Sequence, residues 1–155
     1  MHIVSVTGII VKDGKYLIVR RSEKEKFFAG KWTVPGGKLD EPDYNFKKDT
    51  GDAWYNILER VLRREIKEET NLEIKNIGYV TSLTVELADK ALMLVLSFDC
   101  DYAGDEIELS DELSEYAWIS AAEAKNYDLI EGIEEEIEMA DKKRKGEKAD
   151  GWSRK

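Results

Sequence analysis

One segment near the middle of the chain, from about Trp54 to Thr70, limits what this sequence can fold into. At helical spacing, the apolar Leu58 and Leu62 share one face with the acidic Glu65 and Glu69. A helix with a purely structural role would keep that face apolar and would place its acids in the first turn, where the helix dipole favours them. We therefore expect this helix to bury its first half in a core and to present carboxylates from its second half to a polar site.

Three acids, Glu65, Glu68 and Glu69, fall within five residues near the end of this predicted helix. Like charges so close together repel one another, and a bound cation would remove that repulsion. Oxygen ligands of this kind suit Mg²⁺ or Mn²⁺. A zinc site is disfavoured because the chain has only one cysteine, Cys100, and one histidine, His2. The alternative is a glutamate-rich, solvated helix end whose acids pair with arginine and lysine.

The composition excludes several classes of protein. With 155 residues, 42% of them hydrophobic, the chain suits one globular domain with a real core. Its net charge of -9 argues against broad electrostatic binding of nucleic acid. No apolar run approaches the roughly 18–20 residues of a membrane span, and no N-terminal secretion signal is visible. We therefore expect a cytoplasmic protein with no membrane partner and no stable nucleic-acid partner.

The charge is distributed unevenly along the chain. Residues 99–141 hold 16 acids and one base, whereas residues 142–155 hold seven bases and two acids. The acidic segment is typical of a solvated helix face with loops. The basic stretch has no periodic apolar pattern, so it predicts a flexible C-terminal tail, or a tail partly folded back on the acidic face. We predict a single domain over residues 1–141, followed by a tail over residues 142–155.

Strand and helix patterns alternate in a way that predicts an α/β domain. Apolar, β-branched runs on both sides of Asp13-Gly14 predict a β-hairpin. A polar stretch at 38–54 predicts a long surface loop, and a last helix is predicted over roughly 129–140. Further strands are predicted at 72–74, 77–85, 91–100 and 116–119.

The turn Pro35-Gly36-Gly37-Lys38 lies upstream of the acidic helix, and a double glycine lets the backbone approach a ligand closely. Together, the turn and the helix resemble the Nudix hydrolase family. The box of that family is Gly, five residues, Glu, seven residues, and then Arg-Glu-apolar-x-Glu-Glu-x-Gly-apolar. Residues Arg64 to Leu72 match the second half at every fixed position except Asn71, which replaces Gly. Segments 7–21, 30–38 and 116–120 are similar to the MutT-type members, so the resemblance spans most of residues 3–125.

The resemblance implies the Nudix fold, a mixed β-sheet sandwiched between α-helices. It also implies an Mg²⁺- or Mn²⁺-dependent pyrophosphohydrolase in which a metal-activated water cleaves the diphosphate linkage of a nucleoside diphosphate-X compound. The nucleotide partner would be a nucleoside triphosphate, ADP-ribose or a nucleotide sugar. A homodimer is common in the family, so self-association is a further possibility.

The resemblance also implies roles for individual residues. The implied metal ligands are the Gly36 carbonyl, Glu65, Glu68 and Glu69. Glu65, Arg64 and Glu68 are the implied catalytic residues, with Arg64 orienting a carboxylate of the box. Arg21 and Lys38 lie where the family places basic groups facing the pyrophosphate, although Arg21 could equally be a solvated surface residue. The general base is left open between a box glutamate and four later acids, Glu106, Glu108, Glu112 and Glu115.

The box departs from the family pattern in its first half. Counting back eight residues from Arg64 places Asn56 where the family has its first glutamate. The gap of 19 residues from Gly37 to that position exceeds the family's six by 13, so the loop at 38–54 is predicted as an insertion. Four nearby acids could replace the missing glutamate: Glu41, Asp43, Asp52 and Glu59. The departure favours a rival function, a non-catalytic nucleotide-binding or sensing module, whereas the three box carboxylates favour an enzyme.

Overall fold

The structure is a computed structural model that describes residues 2–148 and 151–155. The described residues form two α-helices, α1 (Ile57–Thr70) and α2 (Ile133–Arg144), and 3-10 turns at Glu41–Asp43 and Ala121–Asn126. The strands are β1 (Ile3–Lys12), β2 (Lys15–Arg21), β3 (Trp32–Thr33), β4 (Gly36–Lys38), β5 (Glu73–Glu86), β6 (Leu92–Gly104) and β7 (Leu113–Ile119). Among these residues, neither helix has the length and apolar character needed to cross a membrane.

All the strands belong to one mixed sheet, in the order β3-β2-β1-β6-β5, with β4 paired to β1 and β7 paired to β2. Strands β1 and β6 run parallel, and the other pairs are antiparallel. Asp13 and Gly14 form the predicted hairpin turn, since both adopt the positive φ that such a turn needs. Because β2 pairs with only the last residues of β1, the first half of the same edge is open to β4.

The two helices cover opposite faces of the sheet. Leu62 and Ile66 of α1 are fully buried in one core cluster, and Ile137 of α2 is fully buried in the other. Neighbouring residues of β2 alternate between the two clusters, with Leu17 on the α1 side and Ile18 on the α2 side. The predicted α/β architecture, a mixed sheet between helices, is therefore confirmed.

Helix α1 ends where the sequence predicted and starts three residues later. At its end, Asn71 adopts a left-handed conformation (φ 68°) and its N–H bonds the Lys67 carbonyl. At its start, Asn56 is also left-handed (φ 55°), and its side chain makes no capping hydrogen bond. The predicted surface loop before the helix contains a 3-10 turn that buries Asp43 completely, which its polar sequence did not suggest.

Helix α2 begins and ends four residues later than predicted, so the predicted domain boundary at residue 141 falls inside it. Its first turn is acidic and its last turn contains Lys142, Lys143 and Arg144, an arrangement that the helix dipole stabilises. The Lys143 ammonium and the Arg144 guanidinium both bond the buried carboxylate of Asp99, at 2.8 and 3.1 Å. The last turn had no apolar pattern because these ion pairs, rather than apolar contacts, fix it to the sheet.

The last residues of the chain lie against the acidic segment. Arg154 pairs with Glu131 at 2.7 Å, and Lys155 pairs with Glu138 at 2.7 Å. In the described part of the tail, these contacts agree with the alternative in which the tail folds back on the acidic face.

Candidate active site

The acidic end of α1 packs against the two glycines of β4. The Gly36 N–H donates a hydrogen bond to Oε1 of Glu69 at 2.8 Å. A β-carbon at Gly37 would collide with the carboxylate of Glu65, and one at Gly36 would collide with the carbonyl oxygen of Val6. Glycine is therefore required at Gly36, where the neighbouring backbone leaves no room for a β-carbon, whereas at Gly37 a side chain would force the Glu65 carboxylate to move.

Burial perturbs both carboxyls at this contact. Glu69 is only 9% exposed, and burial raises the pKa of its carboxyl to about 7, with the Gly36 N–H opposing the shift and the charge of Glu65 adding to it. Burial also raises the pKa of Glu65, although the neighbouring Arg64 partly offsets the effect. Two poorly solvated carboxylates with raised pKa values form a site at which a cation would be stabilising.

Arg64 holds the polar contacts of this region together. Its Nε and Nη2 atoms donate to the two carboxylate oxygens of Asp43, at 2.6 and 2.7 Å. Its Nη1 atom donates to Glu65 at 2.9 Å and to Glu68 at 3.1 Å, and its Nη2 also bonds the Lys38 carbonyl. Arg64 therefore contacts two carboxylates of the acidic helix end, and its role in orienting one of them stays a prediction. These contacts also place Glu68 beside Arg64, with a side chain that is 59% exposed.

Asp43, and not Asn56, is the residue that contacts Arg64 from the first half of the box. The Asp43 carboxylate is fully buried, and the Asp40 N–H donates to it at 2.8 Å. Asn56 is exposed and its left-handed backbone begins α1. The sequence did include Asp43 among four possible replacements, and counting forward six residues from Gly37 would have singled it out.

A cavity of about 450 Å³ opens beside the acidic end of α1. Four of the predicted site residues line it, namely Arg21, Gly36, Lys38 and Glu69. The remaining three, Arg64, Glu65 and Glu68, are absent from its lining and lie around the Arg64 ion pairs.

Arg20 and Arg21 are neighbours at the end of β2, and their contacts differ. Arg20 pairs with Glu115 at 2.7 Å and is absent from the cavity lining. Arg21 lines the cavity, and its Nε donates a hydrogen bond to the Phe27 carbonyl at 2.9 Å. Of the two neighbouring phenylalanines, Phe28 lines the cavity and Phe27 does not.

Two of the four later acids can be distinguished by their surroundings. The negative charge of Glu112 contributes to the raised pKa of Glu69, so Glu112 lies within electrostatic reach of the site. Glu115 is engaged with Arg20 on the sheet edge. Of these two later acids, Glu112 is therefore the one nearer to the site.

The donor set fits Mg²⁺ or Mn²⁺ better than it fits a structural metal. Within residues 2–148 and 151–155, no three acidic, histidine or cysteine side chains converge to form a ready-made cation cage. Mg²⁺ is usually bound by one or two carboxylates together with substrate phosphates and water, so it does not need such a cage. The buried Glu69 and the half-buried Glu65 supply oxygen ligands of that kind beside a cavity with two basic side chains.

Replacing Gly37 with alanine is expected to lower the activity about tenfold while preserving the fold. The added methyl group would displace the Glu65 carboxylate, and a reaction that uses this carboxylate would be sensitive to a small displacement. Steady-state kinetics and thermal unfolding would measure the two effects. Gly51→Ala is the matched control, because no atom lies within 4 Å of its β-carbon position. Equal kinetics for the two variants would contradict the close contact between Gly37 and Glu65.

Comparisons with known proteins support the sequence resemblance. The NUDIX domain model matches residues 1–139. Nucleoside triphosphatase NudI of Klebsiella pneumoniae is 26% identical over 134 residues, which cover 80% of this chain and 86% of that protein.

The crystal structure of a MutT protein from Methanosarcina mazei Go1 is 28% identical, with a TM-score of 0.69, and covers 93% of this chain and 96% of that one. The solution structure of the Escherichia coli ORF135 protein is 26% identical, with a TM-score of 0.68, and covers 96% of this chain and 95% of that one. The chain belongs to the NUDIX family, and its mixed sheet between two helices is the Nudix fold.

Proposed function

We propose that this chain is a divalent-metal-dependent hydrolase that cleaves the diphosphate linkage of a nucleoside diphosphate-X compound, with water as the attacking group. The class of enzyme, a pyrophosphohydrolase, follows from the family and from relatives named nucleoside triphosphatase. Nucleoside triphosphates, ADP-ribose and nucleotide sugars are the candidate substrates. The observation that carries the proposal is the packing of the buried Glu69 and Glu65 against the glycine turn, beside a cavity whose lining includes Arg21 and Lys38.

The oxygen atoms of Gly36, Glu65, Glu68 and Glu69 are the proposed ligands of Mg²⁺ or Mn²⁺. These residues would hold the ion, which would supply positive charge against the diphosphate and would lower the pKa of a bound water. The three glutamates belong to the last turns of α1. The Gly36 N–H donates a hydrogen bond to Oε1 of Glu69 at 2.8 Å and so holds that side chain in place.

The other site residues have separate proposed roles. Arg21 and Lys38, which line the cavity, bind the diphosphate. Arg64 positions Glu65 through their 2.9 Å ion pair. A box glutamate or Glu112 accepts the proton of the attacking water, so the proposed mechanism does not require a histidine.

Asp43 takes the place of the family's first glutamate in this proposal. It lies six residues after Gly37, the spacing of the family box, and it makes the bidentate ion pair with Arg64. On this alignment the 13 additional residues follow Asp43 and precede α1. Asn56 favoured a non-catalytic binding module because it stood where the family has its first glutamate. If Asp43 occupies that position of the box, Asn56 is no argument against an enzyme.

Turnover should depend on a divalent ion. We expect the purified chain with Mg²⁺ or Mn²⁺ to release phosphate, pyrophosphate or a nucleoside monophosphate from at least one compound in a panel. The panel would contain nucleoside triphosphates, ADP-ribose, nucleotide sugars and dinucleoside polyphosphates, and EDTA should abolish the turnover. Absence of turnover with every compound, combined with unchanged ligand binding by Glu69→Gln, would instead support the binding module.

A further inference from the structure

A second buried carboxylate, Glu136 in the first turn of α2, lines the same cavity as Glu69. Its exposed fraction is only 3%, whereas its neighbours Glu134 and Glu135 are partly exposed. Its Oε1 atom has no hydrogen-bond partner within residues 2–148 and 151–155. An acid that served only the helix dipole could remain solvated, as Glu134 and Glu135 do. A buried, unpaired carboxylate oxygen is costly to the fold, so its presence calls for a ligand.

Two hydroxyl groups, one on the lining of the same cavity and one on the neighbouring strand, have the same property. The Thr7 and Ser97 hydroxyl oxygens are buried and lack partners among the described residues. Thr7 of β1 lies directly opposite Ser97 of β6 in the parallel register. Burial raises the pKa of Glu136, and the Ser97 hydroxyl lowers it to a smaller extent, although the geometry between them falls short of a hydrogen bond. Glu136 and Thr7 both line the cavity, and Ser97 is the partner of Thr7 on the neighbouring strand, so three unsatisfied polar groups lie at or next to this cavity.

The other walls of this part of the cavity are mainly apolar. Side chains from β5 and β6 supply them: Leu83, Val85, Met93 and Val95. A nucleobase has apolar faces and a polar edge, and a cavity of about 450 Å³ is within the usual range for small-ligand sites. An apolar slot with a few unpaired polar atoms is the arrangement that such a ring requires.

We propose that Glu136 is a specificity-determining residue that accepts hydrogen bonds from N–H groups on the edge of the substrate's nucleobase. This role rests on the proposed function, since the diphosphate would lie at Glu69 in the same cavity. A carboxylate has only acceptor atoms, so it favours a base that presents an amino group and disfavours one that presents a carbonyl oxygen at the same position. The preferred substrates are therefore nucleotides whose base carries an exocyclic amino group.

Nucleoside monophosphates test this role without requiring turnover, because they lack the diphosphate linkage. We would titrate GMP and AMP against IMP, which lacks the 2-amino group of GMP and has an oxo group in place of the 6-amino group of AMP, and CMP against UMP, which has an oxo group in place of the 4-amino group. Isothermal titration of the wild type should show about tenfold tighter binding of the amino-bearing member in at least one pair. In Glu136→Gln that preference should fall to about twofold or less.

These titrations separate a failure of this role from a failure of the proposed hydrolase function. Amino-dependent binding that Glu136→Gln abolishes would support the role even if no diphosphate were cleaved. A wild type that binds none of the five nucleotides, or binds both members of each pair equally, would overturn it. The same conclusion follows if Glu136→Gln retains the full preference.

A stability measurement and a matched variant distinguish recognition from a structural role. Glu135→Gln removes the same charge from the adjacent position of α2 and should leave the base preference unchanged. Glu136→Gln removes a buried charge that has no partner, so its unfolding temperature should equal or exceed that of the wild type. A lower unfolding temperature together with an unchanged base preference would identify Glu136 as a structural residue and overturn the role.

Discussion

Replacing Glu69 with glutamine is expected to lower kcat/KM by about 10²- to 10⁴-fold. The amide oxygen of glutamine can still accept the hydrogen bond that Gly36 donates, so the side chain keeps its position. The negative charge is lost, and with it the ability to hold a cation beside the diphosphate or to accept a proton. Steady-state kinetics over a range of Mg²⁺ concentrations would measure the loss.

The fold of this variant should survive, which makes the activity loss interpretable. The raised pKa of Glu69 shows that its charge is poorly solvated, so an uncharged isostere should not lower the unfolding temperature. Glu86→Gln is a suitable control, since it removes one charge from an exposed pair with Lys90. Activity of Glu69→Gln within threefold of the control would exclude Glu69 from the chemistry.

Much of the fold could be predicted because its signals are local. Helical spacing and the left-handed tolerance of Asn71 located the end of α1, and Asp13-Gly14 located the first hairpin. The end of α2 was predicted too early because Lys143 and Arg144 are fixed by ion pairs with Asp99, more than 40 residues away. The spacing of apolar residues predicts which residues pack in the core, but it does not predict such long-range polar contacts.

The part of the candidate site that lies in one continuous segment could be predicted from the sequence. The part contributed by residues far away in sequence could not. Glu65 and Glu69 were identified from one helix face, and the structure places them against the predicted glycine turn. Glu136 could not be singled out, because in sequence it is one of 16 acids between residues 99 and 141. Only burial beneath α2 and the lack of a partner among the described residues distinguish it from its solvated neighbours.

The two possible alignments of the box differ in which residue supports Arg64, and mutation can separate them. Asp43→Asn is expected to lower the free energy of unfolding by about 3 kcal/mol, because it removes the charge opposite a partly buried guanidinium. We also expect about a tenfold loss of kcat/KM, since a released Arg64 no longer fixes Glu65. Urea denaturation and steady-state kinetics would measure the two effects.

Asn56→Gly provides the contrast, because glycine tolerates the left-handed backbone at that position and only the side chain is lost. Its stability should change by no more than about 0.5 kcal/mol, and its activity should be unchanged. The reverse pattern, a harmless Asp43→Asn and an impaired Asn56→Gly, would restore the alignment that places Asn56 in the box.

The pH dependence of stability gives an independent check on the Asp43–Arg64 pair. Burial by itself would raise the pKa of Asp43, but the bonds from Arg64 and from the Asp40 N–H outweigh it, so the pKa lies below its usual value. A carboxyl whose pKa is lower in the folded state contributes stability above its unfolded pKa of about 3.9, and that contribution is lost as the pH falls toward the folded value. The difference in stability between the wild type and Asp43→Asn should therefore be constant near neutral pH and shrink below about pH 4. A difference that stays constant down to pH 2 would show that the pair is not the source of the stabilisation.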